Sequence, residues 1–378
     1  MTPDRPLNVV IVSPWLSPQG GGVSQAVRCQ VRALHDQPGI TLSVLTITDK
    51  HDRTADMDEG VKSVAFFGTP RFRFAPALLW QLWRKRPDLV HVHGLWMFPV
   101  LAVHVWSLLT GRPYVVSPHG MLEPWILKRS PRLKTLVSRL YQDRFLKRAA
   151  GFQALSEHEG VQIRDRGAIA PRPVIANPIE PPSDPGPRTS DTQRFVFLGR
   201  IHDKKGWREL LAGWDRACTQ SIDFAANSEL VLCGWIDGQS DFAAQCAALA
   251  RSRSNLHVVG PKFGAEKWAL LASSKFLVLP SRSEGVPMSV LEAWAVGTPA
   301  LISKACNLEN GLAQGAALDC GTGPRAIADA LIRAGSLPHA QYRIMSEAAR
   351  ALIAREFAPP IVARKLRALY ADAAGHRP

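Results

Sequence analysis

The sequence has no apolar run long enough to cross a bilayer as a helix, which takes about 20 residues. The longest, Leu95 to Leu109, is about 15 residues and carries Pro99 and His104, which fits a buried or interfacial helix better. The start, MTPDRPLNVVIVSP, runs straight into a strand-like segment and lacks the long apolar core of a signal peptide, so no targeting segment is expected. Cysteine is scarce: six in 378 residues, with no Cys-x-x-Cys pair and no Cys/His cluster at zinc spacing. That excludes a structural zinc and a disulfide framework, and the scattered thiols read as small hydrophobes in a reducing compartment. Tyrosine is also rare, four in all, and the compact motifs of nucleic-acid binders are missing.

What is abundant is positive charge. Lys plus Arg is 46 against 32 Asp plus Glu, a formal net charge of +14. Such a surface attracts phosphates, nucleic acid or anionic lipid without specifying a fold. Hydrophobic content of 46% and the chain length suit two soluble domains of ordinary size.

The pattern along the chain is strand, loop, helix, strand. Leu7 to Val12 is a β-branched run ended by Ser13-Pro14, followed by Gln19-Gly20-Gly21-Gly22, a helix over Ser24 to Leu34 and a strand over Ile40 to Ile47. Further strands are expected at Leu89 to His93, Tyr114 to Ser117 and Phe152 to Ala154, with a helix over Trp96 to Leu109 and another opening at Ser156, and Pro173 to Ala176 closes the first half. Residues 177–191 then hold five prolines, a natural linker. The pattern restarts with strands at Phe195 to Leu198, Glu229 to Cys233, Leu256 to Val259, Phe276 to Leu279 and Ala300 to Ile302. The expected fold is α/β: two Rossmann-like lobes facing each other across a cleft. The boundaries are 1–176 for an N-terminal lobe, 177–192 for a Pro-rich hinge that closes on ligand binding, 193–355 for a second lobe, and 356–378 for a C-terminal helix packing back on the first lobe.

In such sheets the ligand meets the carboxyl ends of the strands. FLGRIHDKKG, Phe197 to Gly206, puts Arg200 and Lys205 on the loop after the first strand of the second lobe. Fixed cations there can hold a diphosphate without a metal. PSRSEGVPMSVLEAWAVGTPA, Pro280 to Ala300, follows a later strand. It places Glu284 on the loop, Pro287 at the opening of a helix and Glu292 within that helix. Free N–H groups at a helix start bind phosphate oxygens, and carboxylates accept hydrogen bonds from sugar and ribose hydroxyls. Asp56-Met57-Asp58 is an Asp-x-Asp, a metal-binding pattern elsewhere, but it sits in the polar loop DKHDRTADMDEG and reads as solvated; no metal and no cofactor are expected.

Glu284, seven residues and Glu292, within S-x-x-E-G-x-P-x-S-x-x-E-A, resemble the signature of the family-four (group 1) retaining glycosyltransferases. Gly199 to Gly206 is similar to that family's GR-(L/I)-x-x-x-KG, and Gly20 to Gly22 to its glycine loop after the first strand. The resemblance covers nearly the whole chain and implies the GT-B architecture. It further implies that Arg200 and Lys205 hold the donor diphosphate, that Glu284 faces the transferred sugar and that Glu292 binds the ribose. Gly21 and Gly22 admit the phosphates, Gly285, Val286, Pro287, Met288 and Ser289 line the donor, and Gly260 belongs to the base-binding loop. His119, in VVSPHGML, resembles a donor-sugar contact; otherwise it caps the following helix. His93, in VHVHGLW, touches acceptor or pairs with a backbone carbonyl. The activity implied is metal-independent, retaining transfer of a hexose from a UDP- or GDP-sugar.

For the acceptor, Glu123 to Arg148 carries eight basic and two acidic residues with interleaved apolar ones. Trp125, Lys128, Arg129, Arg132 and Lys134 mark a basic amphipathic helix for an anionic membrane surface, or else a core-packed helix with a solvated basic face. Trp80, Trp83 and Arg84 to Arg86 add a second basic-aromatic patch. The HGMLEPW stretch resembles exopolysaccharide and O-antigen assembly enzymes. The expected acceptor is therefore a lipid-linked oligosaccharide, and the expected location is cytoplasmic, peripheral on the inner face of the membrane. A two-lobed sugar-nucleotide epimerase and a basic nucleic-acid-binding protein are the rival readings.

Overall fold

The computed structural model describes residues 5–17, 20–35, 37–48, 61–184, 186 and 192–375. The Asp56-Met57-Asp58 sequence lies outside them, as do residues 185 and 187–191 of the proline-rich stretch. The chain divides into two compact units, residues 1–178 with 358–378, and 179–357.

In the first unit the strands are β1 (Leu7–Ser13), β2 (Ile40–Thr48), β3 (Val61–Ala65), β4 (Leu89–His93), β5 (Tyr114–Ser117) and β6 (Gly151–Phe152). All their pairings are parallel, in the order β3-β2-β1-β4-β5-β6. The helices are α1 (Gly21–His35), α2 (Ala77–Lys85), α3 (Phe98–Thr110), α4 (Pro124–Leu127), α5 (Pro131–Val137), α6 (Asp143–Arg148) and α7 (Glu157–Asp165). In the second unit β7 (Gln193–Leu198), β8 (Ser228–Cys233), β9 (Leu256–Val258), β10 (Phe276–Leu279), β11 (Ala300–Ile302) and β12 (Ala317–Asp319) form a parallel sheet ordered β12-β11-β10-β7-β8-β9. Its helices are α8 (Trp207–Gln220), α9 (Ile222–Asn227), α10 (Phe242–Ala250), α11 (Gly264–Ala272), α12 (Met288–Ala295), α13 (Glu309–Ala313), α14 (Pro324–Gly335) and α15 (His339–Leu352); α16 (Pro359–Gly375) returns to the first unit.

Both sheets thus have the same order, counted from their own first strand: 3-2-1-4-5-6. In each, the connections leave the first and fourth strands toward opposite sides, and the crevice at their carboxyl ends is where such sheets take ligands. That singles out β1/β4 in one unit and β7/β10 in the other.

A parallel sheet buried on both faces needs apolar residues at both parities. β1 shows why these residues make one: Val10 and Val12 pack into a core with α2 and α3 residues, whereas Val9 and Ile11 pack into another with α1 and α16. The second core takes Val362, Ala363, Leu366, Leu369 and Tyr370 from α16. Gly151 allows the helix close, since a Cβ there would lie 2.8 Å from Leu369 Cδ1. Polar groups finish the seat. Tyr370 OH lies 2.7 Å from His91 Nδ1, and Gln30 Nε2 on α1 lies 3.1 Å from the same nitrogen.

Replacing Tyr370 by Phe removes the short buried hydrogen bond to His91 and a longer one from Gln30 Nε2 at 3.4 Å, with little volume. The expected loss is about 1 kcal/mol, read as a melting temperature about 2–4 °C lower for a unit of this size; an unchanged melting curve would mean that Gln30 alone satisfies His91.

Candidate active site

β7 and β10 are adjacent, with Phe276 paired to Phe195 and Leu277 to Val196, so the loops that follow them emerge side by side. Arg282 N–H donates to the Lys204 carbonyl at 2.7 Å. Gly206 lets them touch: its φ is 71°, and a Cβ there would meet the Pro280 carbonyl oxygen at 2.3 Å. The contact sets Lys205 Nζ 2.6 Å from Glu284 Oε1, with side chains 13% and 7% exposed. Ser281 Oγ donates to the same oxygen at 2.7 Å, and Lys204 Nζ lies 3.9 Å from Oε2. Burial alone would raise the Glu284 carboxyl. Lys205, Lys204 and the two hydrogen bonds outweigh it and hold the acid below the usual carboxylate range. A third loop locks the second: Glu284 N–H donates to Ala305 O at 3.0 Å, and Asn307 Nδ2 donates to the carbonyls of Glu284 and Gly285 at 2.7 and 3.0 Å.

Arg200 leaves the same strand end but turns outward, pairing with Asp237 at 2.9 Å in a half-exposed bridge. Gly285, Val286 and Pro287 lead from Glu284 into α12, where Met288 and Ser289 form the first turn. Amides of a first turn have no intrahelical acceptor. Deeper in α12, Glu292 is buried, and Lys267 on α11 reaches Oε1 at 2.6 Å. Burial pushes the Glu292 acid upward, and Lys267 opposes the shift. Gly260, at φ 68°, follows β9, and its carbonyl accepts from Gly234 N–H at 3.1 Å. Gly234 has a necessary close approach of its own, since a Cβ there would lie 1.7 Å from the Gly199 carbonyl oxygen. The loops after β7, β8 and β9 therefore nest on glycines. Beside them Trp235 stacks on Phe263 with centroids 6.2 Å apart.

At the other switch point, α1 begins at Gly21, which has φ 60°, with Gly22 next and no acidic residue in the first turn. His93 ends β4 and His119 follows β5. Their rings stack, and His93 Nδ1 lies 2.8 Å from His119 Nε2. His119 sits at φ 55° on a turn steadied by Glu159, whose Oε1 accepts from Gly120 N–H at 2.6 Å and whose Oε2 accepts from Leu155 N–H at 2.8 Å. Burial pushes the Glu159 acid up to about 7 against those two bonds. Burial also brings His91 down to about 3 and His119 to about 4, and holds His93 well below its usual value, so all three imidazoles are neutral. His119 is half-buried, whereas His93 is fully covered. His93, expected either to touch acceptor or to pair with a backbone carbonyl, is covered in this structure and pairs with the His119 ring instead.

The single amphipathic helix expected over Glu123 to Arg148 is broken. Ser130, at φ 54°, precedes Pro131 and separates α4 from α5, because the residue before proline is driven out of the helical region. From Pro131 the chain is helical through a π-turn at Ser138–Gln142 into α6. Leu133, Leu136 and Leu140 project outward, 61%, 53% and 60% exposed, and Lys128, Arg129 and Arg132 are exposed beside them. Lys134 and Trp125 turn the other way: Lys134 binds the Ile126 carbonyl and lies over Trp96, and Trp125 is half-buried.

Several site residues carry no sequence signal. Lys267 and Asp237 lie far in sequence from Glu292 and Arg200, and nothing in their neighbourhoods marks them. His91 and Tyr370 are apparent only once α16 is seen on the first sheet. None of the six cysteines is in a disulfide, and all six are buried. Among the described residues no group of three or more His, Cys, Asp or Glu is placed to hold a metal, and no helix is long and apolar enough to cross a membrane.

Because the Glu284 acid is depressed in the folded chain, its stabilising effect is present above the unfolded value near 4.5 and is lost as pH falls through the folded value. Glu284→Gln, which leaves Lys205 without its counter-charge, should cost about 3 kcal/mol near neutral pH. The gap to the unmodified chain should narrow as pH falls below the unfolded value near 4.5 and through the depressed folded value, with urea unfolding as the readout; a gap independent of pH would contradict the ion-pair account.

The chain's resemblances to known proteins follow the two units. The Glycosyl transferase 4-like domain matches residues 21–178, and Glycosyl transferases group 1 matches residues 192–336. An alpha-maltose-1-phosphate synthase of Mycolicibacterium smegmatis is 26% identical over 252 residues, spanning 59% of this chain and 62% of that protein. Among solved structures, HepE of Anabaena in complex with UDP and glucose superposes with a TM-score of 0.76 at 16% identity, covering 97% of this chain and 99% of that one. Sucrose-phosphate synthase of Thermosynechococcus elongatus gives 0.74 at 18% identity, covering 97% and 98%. Those structures share the two-sheet GT-B fold, and the two domain matches sit on its two halves: the chain belongs to the group 1 glycosyltransferases.

Proposed function

We propose that this glycosyltransferase moves a hexose from a nucleoside-diphosphate sugar, UDP- or GDP-linked, to a lipid-linked sugar acceptor at an anionic membrane surface, with retention and without a metal. The observation that carries the donor reading is the cationic cluster at the carboxyl ends of β7 and β10: Lys205 and Lys204 around Glu284, with Arg200 at the rim. Two supporting facts are that HepE has been solved with UDP-glucose and that the matched synthase is a sugar-phosphate-forming enzyme by name.

The diphosphate lies against the first-turn amides of α12 and draws Lys205 and Arg200 from their carboxylate partners. Glu284, with Oε2 facing only the more distant Lys204, accepts from hexose hydroxyls. Glu292, oriented by Lys267, accepts from the ribose, and the base lies against the Gly260 loop near Trp235 and Phe263. The bond from the anomeric carbon to the β-phosphate oxygen breaks first, leaving an oxocarbenium-like sugar. The acceptor hydroxyl attacks the face that the phosphate leaves. Its proton passes to the departing phosphate oxygen, so the products are the glycoside and the nucleoside diphosphate. Fixed cations in place before the reaction stabilise the charge as it develops.

A panel of UDP-, GDP- and ADP-sugars with EDTA present, read by thermal shift and then by nucleoside diphosphate release, tests the reading. One base class should stabilise the protein and turn over. Lys205→Ala should lower kcat by roughly 10²–10³, and Glu292→Ala should abolish the shift. A strict need for added metal, or no response to any nucleotide-sugar, would overturn it.

For the acceptor side, the exposed Leu133, Leu136 and Leu140 with Lys128, Arg129 and Arg132 beside them combine apolar area with positive charge, as interfacial helices do. Sedimentation with anionic vesicles should be strong, should fall with salt, and should be lost when the three leucines become glutamine. Equal sedimentation with neutral vesicles would remove the anionic surface from the proposal, and no sedimentation with either would remove the membrane.

A further inference from the structure

The buried polar groups behind β4 and β5 fix where their protons are. Gln153 Nε2 donates to the Ile175 carbonyl at 3.1 Å, so its Oε1 faces Ser117 and accepts the Ser117 hydroxyl at 2.7 Å. With its hydrogen committed, Ser117 Oγ accepts from His91 Nε2, 2.7 Å away. His91 Nδ1 is then bare and accepts from Tyr370 OH and Gln30 Nε2. Each step follows from the one before, because hydroxyls and amides have fixed numbers of donors.

The neighbouring pair can be settled in the same way. His93 is fully buried, and its Nε2 has no partner. Only one nitrogen of the 2.8 Å pair, His93 Nδ1 or His119 Nε2, carries the shared hydrogen. If His119 donated, the His93 hydrogen would sit on Nε2, a buried N–H with nothing to receive it. Orphaned buried N–H groups are the rarer defect, and a bare acceptor nitrogen is the lesser one. His93 therefore carries its hydrogen on Nδ1 and donates. Neutral His119, accepting at Nε2, must carry its own hydrogen on Nδ1, which has no protein partner among the described residues.

We infer that His93 is a positioning residue: by donating from Nδ1 to His119 Nε2 it fixes His119 as the Nδ1–H tautomer, so that the half-exposed ring offers its ligand a hydrogen-bond donor and no base. Resting on the glycosyltransfer reading, this makes His119 a group that recognises an acceptor atom, a sugar hydroxyl or ring oxygen. It takes no proton from the acceptor substrate, which agrees with a mechanism whose proton passes to phosphate. The strain of a positive φ at His119 fits a residue held for its ring.

The test is a long-range ¹H–¹⁵N correlation spectrum of the intact chain with ¹⁵N-histidine, beside steady-state kinetics. The expected wild-type spectrum shows His119 protonated at Nδ1 and bare at Nε2. His93→Leu, which removes the donor at similar size, should let the second tautomer appear. It should also lower kcat/KM about tenfold, the size of one hydrogen bond, with the melting temperature little changed. His93→Asn, whose amide nitrogen stands near the place of Nδ1, should restore the single tautomer and return kcat/KM to within about threefold. A wild-type His119 protonated at Nε2 overturns the inference whether or not the variants fold, and leaves the glycosyltransfer assay untouched. The converse result, a His119→Ala variant with unaltered donor kinetics beside an Nδ1–H spectrum, would instead remove His119 from the donor site.

Discussion

Lys205 and Glu284 leave water together where two loops meet, and much of the second unit answers to that pairing. A buried ion pair adds little net stability over an apolar replacement, but half of one is costly. The surroundings therefore have to bring both partners in at once. Gly206 brings the loops into contact, Ser281 and the Asn307 side chain pin the carboxylate's segment, and the register of β7 against β10 sets the height of both strand ends. The pair leaves a preorganised lysine whose charge is balanced until an anion of higher charge competes for it.

The two units repeat one strand order but furnish its crevice differently. At β7/β10 the groups are charged and compensated. At β1/β4 and the neighbouring β5 they are neutral imidazoles, a hydroxyl and carboxamides, linked by hydrogen bonds and held uncharged by burial. Charge suits a diphosphate, whereas directional neutral donors and acceptors suit hydroxyls, which are told apart by geometry rather than by attraction.

Most of this architecture is legible in the sequence, because continuous β-branched runs alternating with helical stretches fit a parallel sheet covered on both faces and little else. β7, β10 and β11 lie where their apolar runs put them, and Lys205 and Glu284 meet at the carboxyl ends of the central strands β7 and β10, with Glu292 on the helix that follows. The failures have particular causes. Pro173 to Ala176, at the close of the first half, meets the sheet by the bridge from Val174 to Ala154 rather than by a full strand, since Pro171 and Pro173 have no N–H to donate. β12, Ala317–Asp319, is too short to show a period. β3, Val61–Ala65, is half-polar at a sheet edge. α1 starts at Gly21, not Ser24, because glycine there is drawn into the helix rather than left in the loop. Asp237, the partner of Arg200, goes unread because it lies far from it in sequence, a long-range pairing that no local pattern encodes.

The seat of α16 has a consequence for the order of events at the ribosome. The helix that covers Val9, Ile11 and Leu89 lies after all of residues 179–357 in the chain. At about 5–20 residues per second, synthesis of that intervening stretch takes roughly 10–40 s. During that time α1 alone is at hand to cover that face of the first sheet, and the part of the apolar stripe that α16 closes is available to chaperones or to other nascent chains. The second unit, continuous in sequence, needs no such wait. The unit begun first is thus completed only after the second, by a segment that follows it in the chain.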